Sequence, residues 1–313
     1  MNKIKAGNVE ITEITMGAGG MGHPDKKELH FSLMDRYMEL GGNCIDVARG
    51  YGGGLCERDF GIWLKERGNR NDVVISTKGG LPVNGVMHMP RLSKEELESD
   101  LNESLKMMDV DYTDIYYLHR DDIYLSVEEI MPTLHEFVKS GRVRVLGASN
   151  WTAGRIAQAN EFALSNGLTP FSVSQINWSL AQTTAAQSGD VTHIIMNDVE
   201  YNWYSEVGLP IMAYSPQARG FLVTPVSDTE RWEKTKKIYG YFPENYRRSE
   251  RVKKLAEELQ FPASAVVLAY VMNKGLAVSP IVSFSSLEQM NESMKALDIK
   301  LTDRQVLYLE TGT

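Results

Sequence analysis

The chain has 313 residues, of which 42% are apolar and 24% are charged, a composition typical of globular proteins. Single domains of some architectures reach this length, and we expect one domain over residues 1–313. The formal net charge of −8 argues against nucleic-acid or anionic-membrane partners, because both need a basic face. The two cysteines form no CxxC pattern and the first residues form no apolar leader, so we expect a cytoplasmic protein.

Short β-rich segments alternate with helical segments along the whole chain. The eight strand candidates lie at residues 14–18, 43–46, 73–77, 114–118, 143–148, 172–176, 210–214 and 277–282. Three capping boxes mark helix starts, at Ser93 with Glu96, Ser126 with Glu129, and Ser286 with Gln289. About eight strand–helix repeats without a break in composition predict an α/β fold, a (β/α)8 TIM barrel, with an open doubly wound sheet as the alternative.

Two segments lie outside this repeat. Residues 3–12 predict an N-terminal hairpin that turns at Gly7-Asn8 and closes the barrel floor. Residues 219–249 follow the seventh strand and are rich in aromatic side chains. They predict a long loop, and a loop of this length inside a compact domain is often functional.

Four ionisable side chains follow the carboxyl ends of neighbouring strands. Asp46 ends the second strand and Tyr51 lies on the loop after it, while Lys78 and His119 end the third and fourth strands. A barrel gathers these ends at one mouth, so the four become neighbours. A tyrosine has an ordinary pKa of about 10, and a nearby lysine cation lowers it toward the range of a general acid. A carboxylate would hold the lysine charged, and a histidine would orient a substrate oxygen. Each residue alone also fits a solvated strand end.

The four residues resemble the aldo-keto reductase signature. Asp46-Val47-Ala48-x-x-Tyr51-Gly52, followed by Glu57, is similar to the first motif of that family. Lys78 and His119 match its two other catalytic positions. Further similar segments are Gly147-Ala148-Ser149-Asn150, Gln175, Ala213-Tyr214-Ser215-Pro216 and Arg219-Gly220-Phe221-Leu222. The resemblance implies hydride transfer from a reduced nicotinamide to an aldehyde or ketone. Tyr51 would donate the proton, Lys78 held by Asp46 would depress the Tyr51 pKa, and His119 would position the carbonyl.

The resemblance also implies a binding site for NADPH or NADH. Ser149, Asn150 and Gln175 would bind the nicotinamide amide. Tyr214 would stack on the nicotinamide ring, and the segment from Arg219 would cover the pyrophosphate. The predicted cofactor-binding set is Gly19, Met21, Asp46, Ser149, Asn150, Gln175, Tyr214, Ser215, Pro216, Gln217, Arg219, Gly220, Ser283, Ser285, Gln289 and Glu292.

The sequence departs from the family pattern at the far end of the cofactor. The family often has a lysine and an arginine there that pair with the 2′-phosphate of NADP, and Ser283 and Gln289 occupy their positions. The N-terminus of the helix that opens at Ser286 could still hold a phosphate. The choice between NADP and NAD is therefore open, and use of both is an alternative.

A glycine-rich segment supports a competing interpretation. Residues 17–22 satisfy GxGxxG after a predicted strand, as in a Rossmann fold, with Asp46 as the ribose-binding acid. However, His23-Pro24-Asp25 delays the helix start beyond the glycines, whereas phosphate binding there needs the helix N-terminus at the turn. The barrel interpretation is therefore favoured.

The predicted substrate pocket comprises Met21, Tyr51, His119, Trp151 and Trp178, with His88 and Trp203 as further candidates. Tryptophans beside polar groups such as Asn177 and Arg120 suit a sugar-like carbonyl compound. The chain ends soon after a last predicted helix at residues 302–310. We therefore expect a short C-terminal substrate loop, and broad or polar substrates rather than sterols.

Two other classes of function remain as alternatives. A nicotinamide-binding regulatory subunit with little turnover, like the potassium-channel β-subunits, shares the fold and can keep the same residues. The lack of an extended segment before residue 3 weakens this regulatory-subunit alternative. A metal-dependent barrel hydrolase needs several histidines at strand ends, and only His119 of six histidines qualifies. We expect no metal, a small-molecule carbonyl or alcohol partner, and a monomer or small homo-oligomer.

Overall fold

An antiparallel hairpin and a closed barrel of eight parallel strands form the sheets of the computed structural model, which describes residues 1–82, 86–87, 89–225 and 227–313. The hairpin strands are β1 (Lys3–Ala6) and β2 (Val9–Thr12). The barrel strands are β3 (Thr15–Gly17), β4 (Cys44–Asp46), β5 (Val74–Gly79), β6 (Thr113–Leu118), β7 (Val143–Ser149), β8 (Phe171–Asn177), β9 (Ile211–Tyr214) and β10 (Ile281–Val282). Each barrel strand pairs with the next, and β10 pairs with both β9 and β3. The predicted (β/α)8 TIM barrel is confirmed, and the closed ring excludes an open sheet.

Helices connect the strands and pack around the barrel. They are α1 (Lys27–Glu39), α2 (Leu55–Arg67), α3 (Lys94–Met108), α4 (Val127–Lys139), α5 (Ala153–Ser165), α6 (Ala185–Ser188), α7 (Asp198–Val207), α8 (Thr229–Tyr239), α9 (Pro243–Leu259), α10 (Ala263–Met272), α11 (Leu287–Met294) and α12 (Asp303–Thr311). The predicted capping boxes at the starts of α3 and α4 are both present. Ser286 caps α11, but the Gln289 side chain accepts from Ser285 instead, so the third capping box is incomplete.

The hairpin closes the amino-terminal end of the barrel, as predicted. Its strands pair from Lys3 with Thr12 to Ala6 with Val9, and Gly7 at the turn has a φ of +58°. Side chains of the hairpin form one buried apolar cluster with residues from six barrel strands. The barrel interior is therefore sealed from below, and its carboxyl end is left as the mouth.

The predicted loop over residues 219–249 is largely helical in the structure. Asp228 caps α8 by accepting from the Arg231 N–H, and Pro243 occupies the first turn of α9, where its missing N–H has no cost. The aromatic side chains pack these helices down, with the Phe221 and Trp232 rings stacked 5.2 Å apart. No single described helix is long and apolar enough to cross a membrane. The pair α9 and α10, bent by 101° at the break between them, meets these criteria of length and composition only when the two helices are taken together.

The eighth barrel strand is shorter than predicted, with only two residues in β10. Pro280 has no N–H, so regular pairing begins only after it. Side chains strengthen the seam at this point. Thr15 Oγ1 donates to Ser279 Oγ at 2.7 Å, and Ser279 Oγ donates to the Thr12 carbonyl at 2.8 Å. The seam between the first and last barrel strands therefore depends on a buried serine.

Ser279→Ala tests this seam. The substitution leaves two buried polar groups without a partner, so we expect the free energy of unfolding to fall by roughly 1–3 kcal/mol. Ser32→Ala is the control, because Ser32 is exposed and bonds only within α1, and its effect should stay below about 0.5 kcal/mol. Denaturant titration measures both, and equal effects would show that the seam does not need Ser279.

Candidate active site

Four side chains meet at the carboxyl end of the barrel. Asp46 is the last residue of β4, Lys78 lies near the end of β5, and His119 follows β6 directly. Tyr51 begins a short 3-10 segment, Tyr51–Gly54, whose three glycines have positive φ and turn the chain back toward the mouth. Asp46, Tyr51 and His119 line one cavity of about 580 Å³. The fold thus brings the four predicted catalytic residues together.

Lys78 and Asp46 form a buried ion pair beside this cavity. Lys78 Nζ lies 2.6 Å from Asp46 Oδ2, with the two side chains 0% and 3% exposed. Lys78 also donates to the Val47 carbonyl at 3.0 Å. Although burial lowers it, the Asp46 carboxylate and Tyr51 together raise the pKa of Lys78 above its ordinary value. Lys78 therefore keeps its positive charge in the interior.

The Tyr51 phenol lies beside both Lys78 and His119. Lys78 Nζ is 4.8 Å from the centroid of the Tyr51 ring, and the Tyr51 and His119 rings are 5.9 Å apart at 80°. Burial raises the pKa of Tyr51, and the Lys78 cation opposes this only in part. Lys78 therefore lowers the Tyr51 pKa as predicted, but burial outweighs this contribution and the net shift is upward. Burial disfavours the charged phenolate more than the Lys78 cation stabilises it, and the nearby Asp46 charge adds to the rise.

His119 is neutral at ordinary pH. Burial, and then the charges of Arg120 and Lys78, lower the pKa of His119 well below its usual value. Its Nδ1 is buried and has no hydrogen-bond partner among the described residues. A buried N–H without an acceptor is rarer in proteins than an unused lone pair, so we place the single proton on Nε2. His119 therefore offers an N–H donor to the cavity that it lines.

Ser149 and Gln175 are suited to bind a carboxamide. Ser149 Oγ accepts from the Asn150 side chain at 3.0 Å, and no described residue accepts its own proton. Gln175 Nε2 donates to Asp46 Oδ1 at 3.1 Å, which leaves its carbonyl oxygen available. Both residues line the catalytic cavity. One free donor and one free acceptor match the two halves of a carboxamide, so this wall fits a nicotinamide.

The Asn150 side-chain amide is held in place by hydrogen bonds within the chain. Its Oδ1 accepts from the Tyr214 hydroxyl at 2.7 Å and from the Ile194 N–H at 3.2 Å. Its Nδ2 donates to Ser149 Oγ and to the His119 carbonyl. All four hydrogen-bonding positions of this amide are therefore used within the chain. Asn150 therefore orients Tyr214 and lines the same cavity, and its contact with the nicotinamide stays a prediction.

The segment after β9 has a strained backbone. Ser215, Ala218 and Arg219 have φ values of 54°, 49° and 52°, and Gly220 has a φ of 91°. Left-handed backbone is costly for residues with a Cβ and collects at binding sites, where successive N–H groups can form a concave anion site. Ser215 and Arg219 line the catalytic cavity. This segment therefore fits the predicted contact with a pyrophosphate.

A second cavity of about 190 Å³ extends the first one. Both are lined by Arg219 and Ser283, so they meet at these residues. Three further predicted cofactor-binding residues line the second cavity, namely Gln217, Gly220 and Gln289. Ser264 also lines it, and its buried Oγ has no hydrogen-bond partner among the described residues.

Arg231 on α8 supplies a cation to this second cavity. It packs against Gly220, where a Cβ would come within 2.5 Å of the Arg231 Nη2. In the described part of the chain no carboxylate pairs with its guanidinium, and only its backbone N–H bonds to Asp228. An unpaired guanidinium beside an unpartnered hydroxyl is suited to a phosphate. Arg231 is not in the predicted cofactor-binding set, because nothing in its neighbourhood along the chain indicates that α8 returns over Gly220.

Comparison with known proteins agrees with this geometry. The sequence model of the Aldo/keto reductase family matches residues 13–311. The chain belongs to the aldo-keto reductase family. It is 32% identical to norsolorinic acid reductase of Aspergillus flavus, over 93% of this chain and 73% of the relative. It is 31% identical to a probable aryl-alcohol dehydrogenase of Saccharomyces cerevisiae, over 91% and 88% of the two chains.

A more distant relative and a solved structure extend the comparison. The aryl-alcohol dehydrogenase [NADP(+)] of Phanerodontia chrysosporium is 28% identical over 93% of this chain and 77% of the relative. The crystal structure of a thermostable aldo-keto reductase with the inhibitor epalrestat has the same fold, with a TM-score of 0.77 over 99% of both chains at 22% identity. The chain described here is thus an NAD(P)-dependent reductase that acts on carbonyl and alcohol groups of small molecules.

Three predicted pocket residues do not line the catalytic cavity of the reductase. Trp151 is fully buried and packs against Phe171, with ring centroids 5.3 Å apart. Trp178 lines a separate cavity of about 730 Å³ together with Tyr201. Met21 is buried in the apolar core. These side chains follow strand ends in sequence, but position along the chain does not determine which way a side chain points, and burial of apolar surface favours packing away from the cavity.

Other predicted residues lie at the edges of the site or outside it. Pro216 is buried, while Ser285 and Glu292 are exposed at α11 and line neither cavity. Trp203 is half-buried in α7 and packs against Tyr204, with ring centroids 5.0 Å apart. His88 lies outside the described residues.

The glycine segment contributes to the cavity without forming a Rossmann turn. Gly19, as predicted, and Gly20 line the catalytic cavity, and α1 begins only at Lys27. The cavity is also lined by Arg120 and His193, and the sequence analysis missed His193. Within the described ranges, no three His, Cys, Asp or Glu side chains are grouped to hold a metal ion.

Lys78→Met tests how strongly the ion pair supports the fold. The variant leaves the Asp46 carboxylate buried without its cation, so we expect the free energy of unfolding to fall by about 3–5 kcal/mol. Adding Asp46→Asn removes the stranded charge, and the double variant should recover at least about 1 kcal/mol relative to Lys78→Met alone. Denaturant titrations of wild type, both single variants and the double variant measure the coupling. If the losses of unfolding free energy in the two single variants simply added up in the double variant, Lys78 and Asp46 would not be coupled.

Proposed function

We propose that the reductase uses NADPH to reduce aromatic aldehydes and ketones, and oxidises the corresponding aryl alcohols in the reverse direction. The observation that carries the reaction is the buried Lys78–Asp46 pair beside Tyr51, at a cavity that His119 also lines. This arrangement gathers a proton donor, a fixed positive charge and an N–H donor at one point. Two of the relatives are named aryl-alcohol dehydrogenases, which supports an aromatic substrate.

The protein residues divide the work of proton transfer. In reduction, His119 donates its Nε2–H to the substrate carbonyl oxygen and orients it beside Tyr51. Ser149 and Gln175 would hold the nicotinamide, which when bound would supply the hydride. Tyr51, whose pKa burial raises, is protonated at neutral pH, and it delivers that proton to the same oxygen. Lys78 then stabilises the phenolate, and in alcohol oxidation Tyr51 accepts the proton as a base.

The lining of the catalytic cavity supports an aromatic substrate over a sugar. The sugar-like substrate expected from the sequence depended on Trp151 and Trp178, and neither lines the cavity. The rings that do line it belong to Tyr51, His119, His193 and Tyr214. These rings offer edges and faces against which an aromatic substrate can pack.

The preferred cofactor in this proposal is NADPH. A dinucleotide with its nicotinamide beside Tyr51 would extend past Arg219 into the second cavity, where Arg231 lies. Arg231 then supplies the cation that Ser283 and Gln289 cannot, and guanidinium pairs well with phosphate oxygens. The Phanerodontia chrysosporium relative is named for NADP(+), which supports the same choice. The cytoplasmic location and the monomeric or small homo-oligomeric state stay predictions.

Tyr51→Phe tests the proton donor. Positioned general acids contribute roughly 10²–10⁴-fold, so we expect kcat for benzaldehyde reduction to fall at least about a hundredfold. NADPH should still bind, as followed by the change in its fluorescence. Tyr124→Phe is the matched control, because Tyr124 is 87% exposed and its loss should leave kcat unchanged.

The same assay separates the two function classes. Wild-type protein that binds NADPH but turns over no aldehyde or ketone would favour the regulatory-subunit alternative. Full activity of Tyr51→Phe would instead keep the enzyme and remove Tyr51 as its proton donor.

Arg231→Met tests the cofactor preference. Loss of a charge-assisted hydrogen bond to phosphate should raise the NADPH dissociation constant roughly 10- to 100-fold. The NADH dissociation constant should hardly change, because NADH has no 2′-phosphate. Lys234→Met on the same helix is the control, since Lys234 is exposed and pairs only with Glu230. Parallel fluorescence titrations measure both cofactors, and equal weakening of NADPH and NADH would contradict the assignment.

A further inference from the structure

Arg120 and His193 form a wall of the catalytic cavity that the proposed mechanism does not use. Arg120 follows His119 directly at the end of β6, and His193 lies in the segment 178–197 after β8. Arg120 is only 6% exposed. A buried arginine beside the reacting centre needs a counter-ion, and its remaining donors become part of the surface that a substrate meets.

Three of the five guanidinium N–H groups of Arg120 are committed. Nε donates to Thr192 Oγ1 at 2.9 Å and also faces Asp190 Oδ2 at 3.3 Å. Nη2 donates to Asp190 Oδ2 at 2.7 Å, and Nη1 donates to the His119 carbonyl at 2.7 Å. One N–H on Nη1 and one on Nη2 have no acceptor among the described residues. These two are the donors that Arg120 can offer to the cavity.

The charge of this wall is compensated. Although burial raises it, the hydrogen bonds from Thr192 and Arg120 hold the pKa of Asp190 below its ordinary value, so Asp190 stays a carboxylate. Burial, and then the Arg120 charge, lower the pKa of His193 to about 4, so its ring is neutral. His193 is held by Ser188 through Nδ1 at 2.8 Å and packs edge-on against Tyr214. The wall thus presents fixed N–H donors with little net charge.

We infer that Arg120 is a specificity-determining residue, whose two uncommitted N–H groups select substrates with a second, neutral oxygen acceptor on the same ring as the reacting carbonyl. A phenol, an ether or a second carbonyl oxygen has this chemistry. The inference rests on the proposed function, because it concerns aromatic carbonyl substrates in the same cavity. It adds a contact that the catalytic residues do not provide.

The physical basis is the cost of a buried donor left unpaired. In the free protein, water can bond to these N–H groups. A bound substrate excludes that water, so a substrate without an acceptor leaves the donors unsatisfied. A substrate carboxylate gains less binding free energy here than it would at an isolated arginine, because Asp190 already neutralises the guanidinium at a distance of 2.7 Å. A neutral acceptor therefore suits the wall best.

The experiment compares pairs of aldehydes that differ by one oxygen. The ortho, meta and para isomers of methoxybenzaldehyde are each paired with the ethylbenzaldehyde of the same pattern, which has nearly the same shape. For at least one pair, wild type should favour the methoxy compound roughly tenfold or more in kcat/KM, mainly through KM. In Arg120→Met this ratio should fall close to one, and Arg120→Lys, which lacks the planar fork, should keep only part of it.

Two further variants separate recognition from structural damage. Damage to the fold lowers kcat/KM for both members of a pair and leaves their ratio unchanged. Asp190→Asn removes the compensating charge, so carboxybenzaldehyde should gain roughly tenfold relative to ethylbenzaldehyde. Arg36→Met is the matched control, because Arg36 is on α1, is 40% exposed and pairs with Glu39, and its ratios should equal those of wild type.

The outcomes distinguish this inference from the proposed function. A ratio near one for all three pairs in wild type, or an unchanged ratio in Arg120→Met, overturns the role of Arg120 while the reductase activity stands. If wild type reduces none of these aldehydes with either cofactor, the proposed function has failed, and the inference fails with it. A ratio that collapses in Arg120→Met but not in Arg36→Met supports the inference.

Discussion

The positive charge of Lys78 lies in the protein interior only because Asp46 accompanies it at 2.6 Å. A buried ammonium needs both a counter-ion and satisfied N–H groups, and the Val47 carbonyl supplies a further acceptor. Asp46 in turn accepts hydrogen bonds from Ser76 and Gln175. This network joins β4 and β5 to β8 on the far side of the ring. The closed barrel is therefore a condition for the ion pair, and the ion pair fixes the place where Tyr51 and His119 meet.

The same burial sets the protonation of three groups of the proposed mechanism at once. At Lys78 the Asp46 charge outweighs the effect of burial on the pKa, so the lysine stays charged. At Tyr51 and His119 the effect of burial prevails, so both side chains are neutral. In the proposed mechanism Tyr51 delivers its proton to the alkoxide. His119 can orient an oxygen without competing for that proton, and Lys78 stabilises the charge that Tyr51 leaves behind. A more open mouth would hydrate all three groups and weaken this division.

The predictable part of this protein is what a short stretch of sequence determines. Strand–helix alternation places Asp46, Lys78 and His119 at strand ends, and barrel topology then makes them neighbours. Side-chain direction is not determined in this way, which is why Trp151 and Trp178 were assigned to the pocket but pack elsewhere. The net Tyr51 pKa depends on burial, which the sequence does not state. The helices within residues 219–249 lacked a clear apolar period, and their aromatic side chains suggested a loop.

Arg231 shows how such tertiary contacts can determine a binding preference. Trp232, its neighbour on α8, stacks on Phe221, which follows Gly220 and is fully buried. Docking of α8 through these rings therefore also brings the Arg231 guanidinium over Gly220. In the proposed NADPH site, affinity for the 2′-phosphate thus depends on an aromatic contact that touches no cofactor, and a change in that packing would alter cofactor choice without altering any cofactor-binding residue.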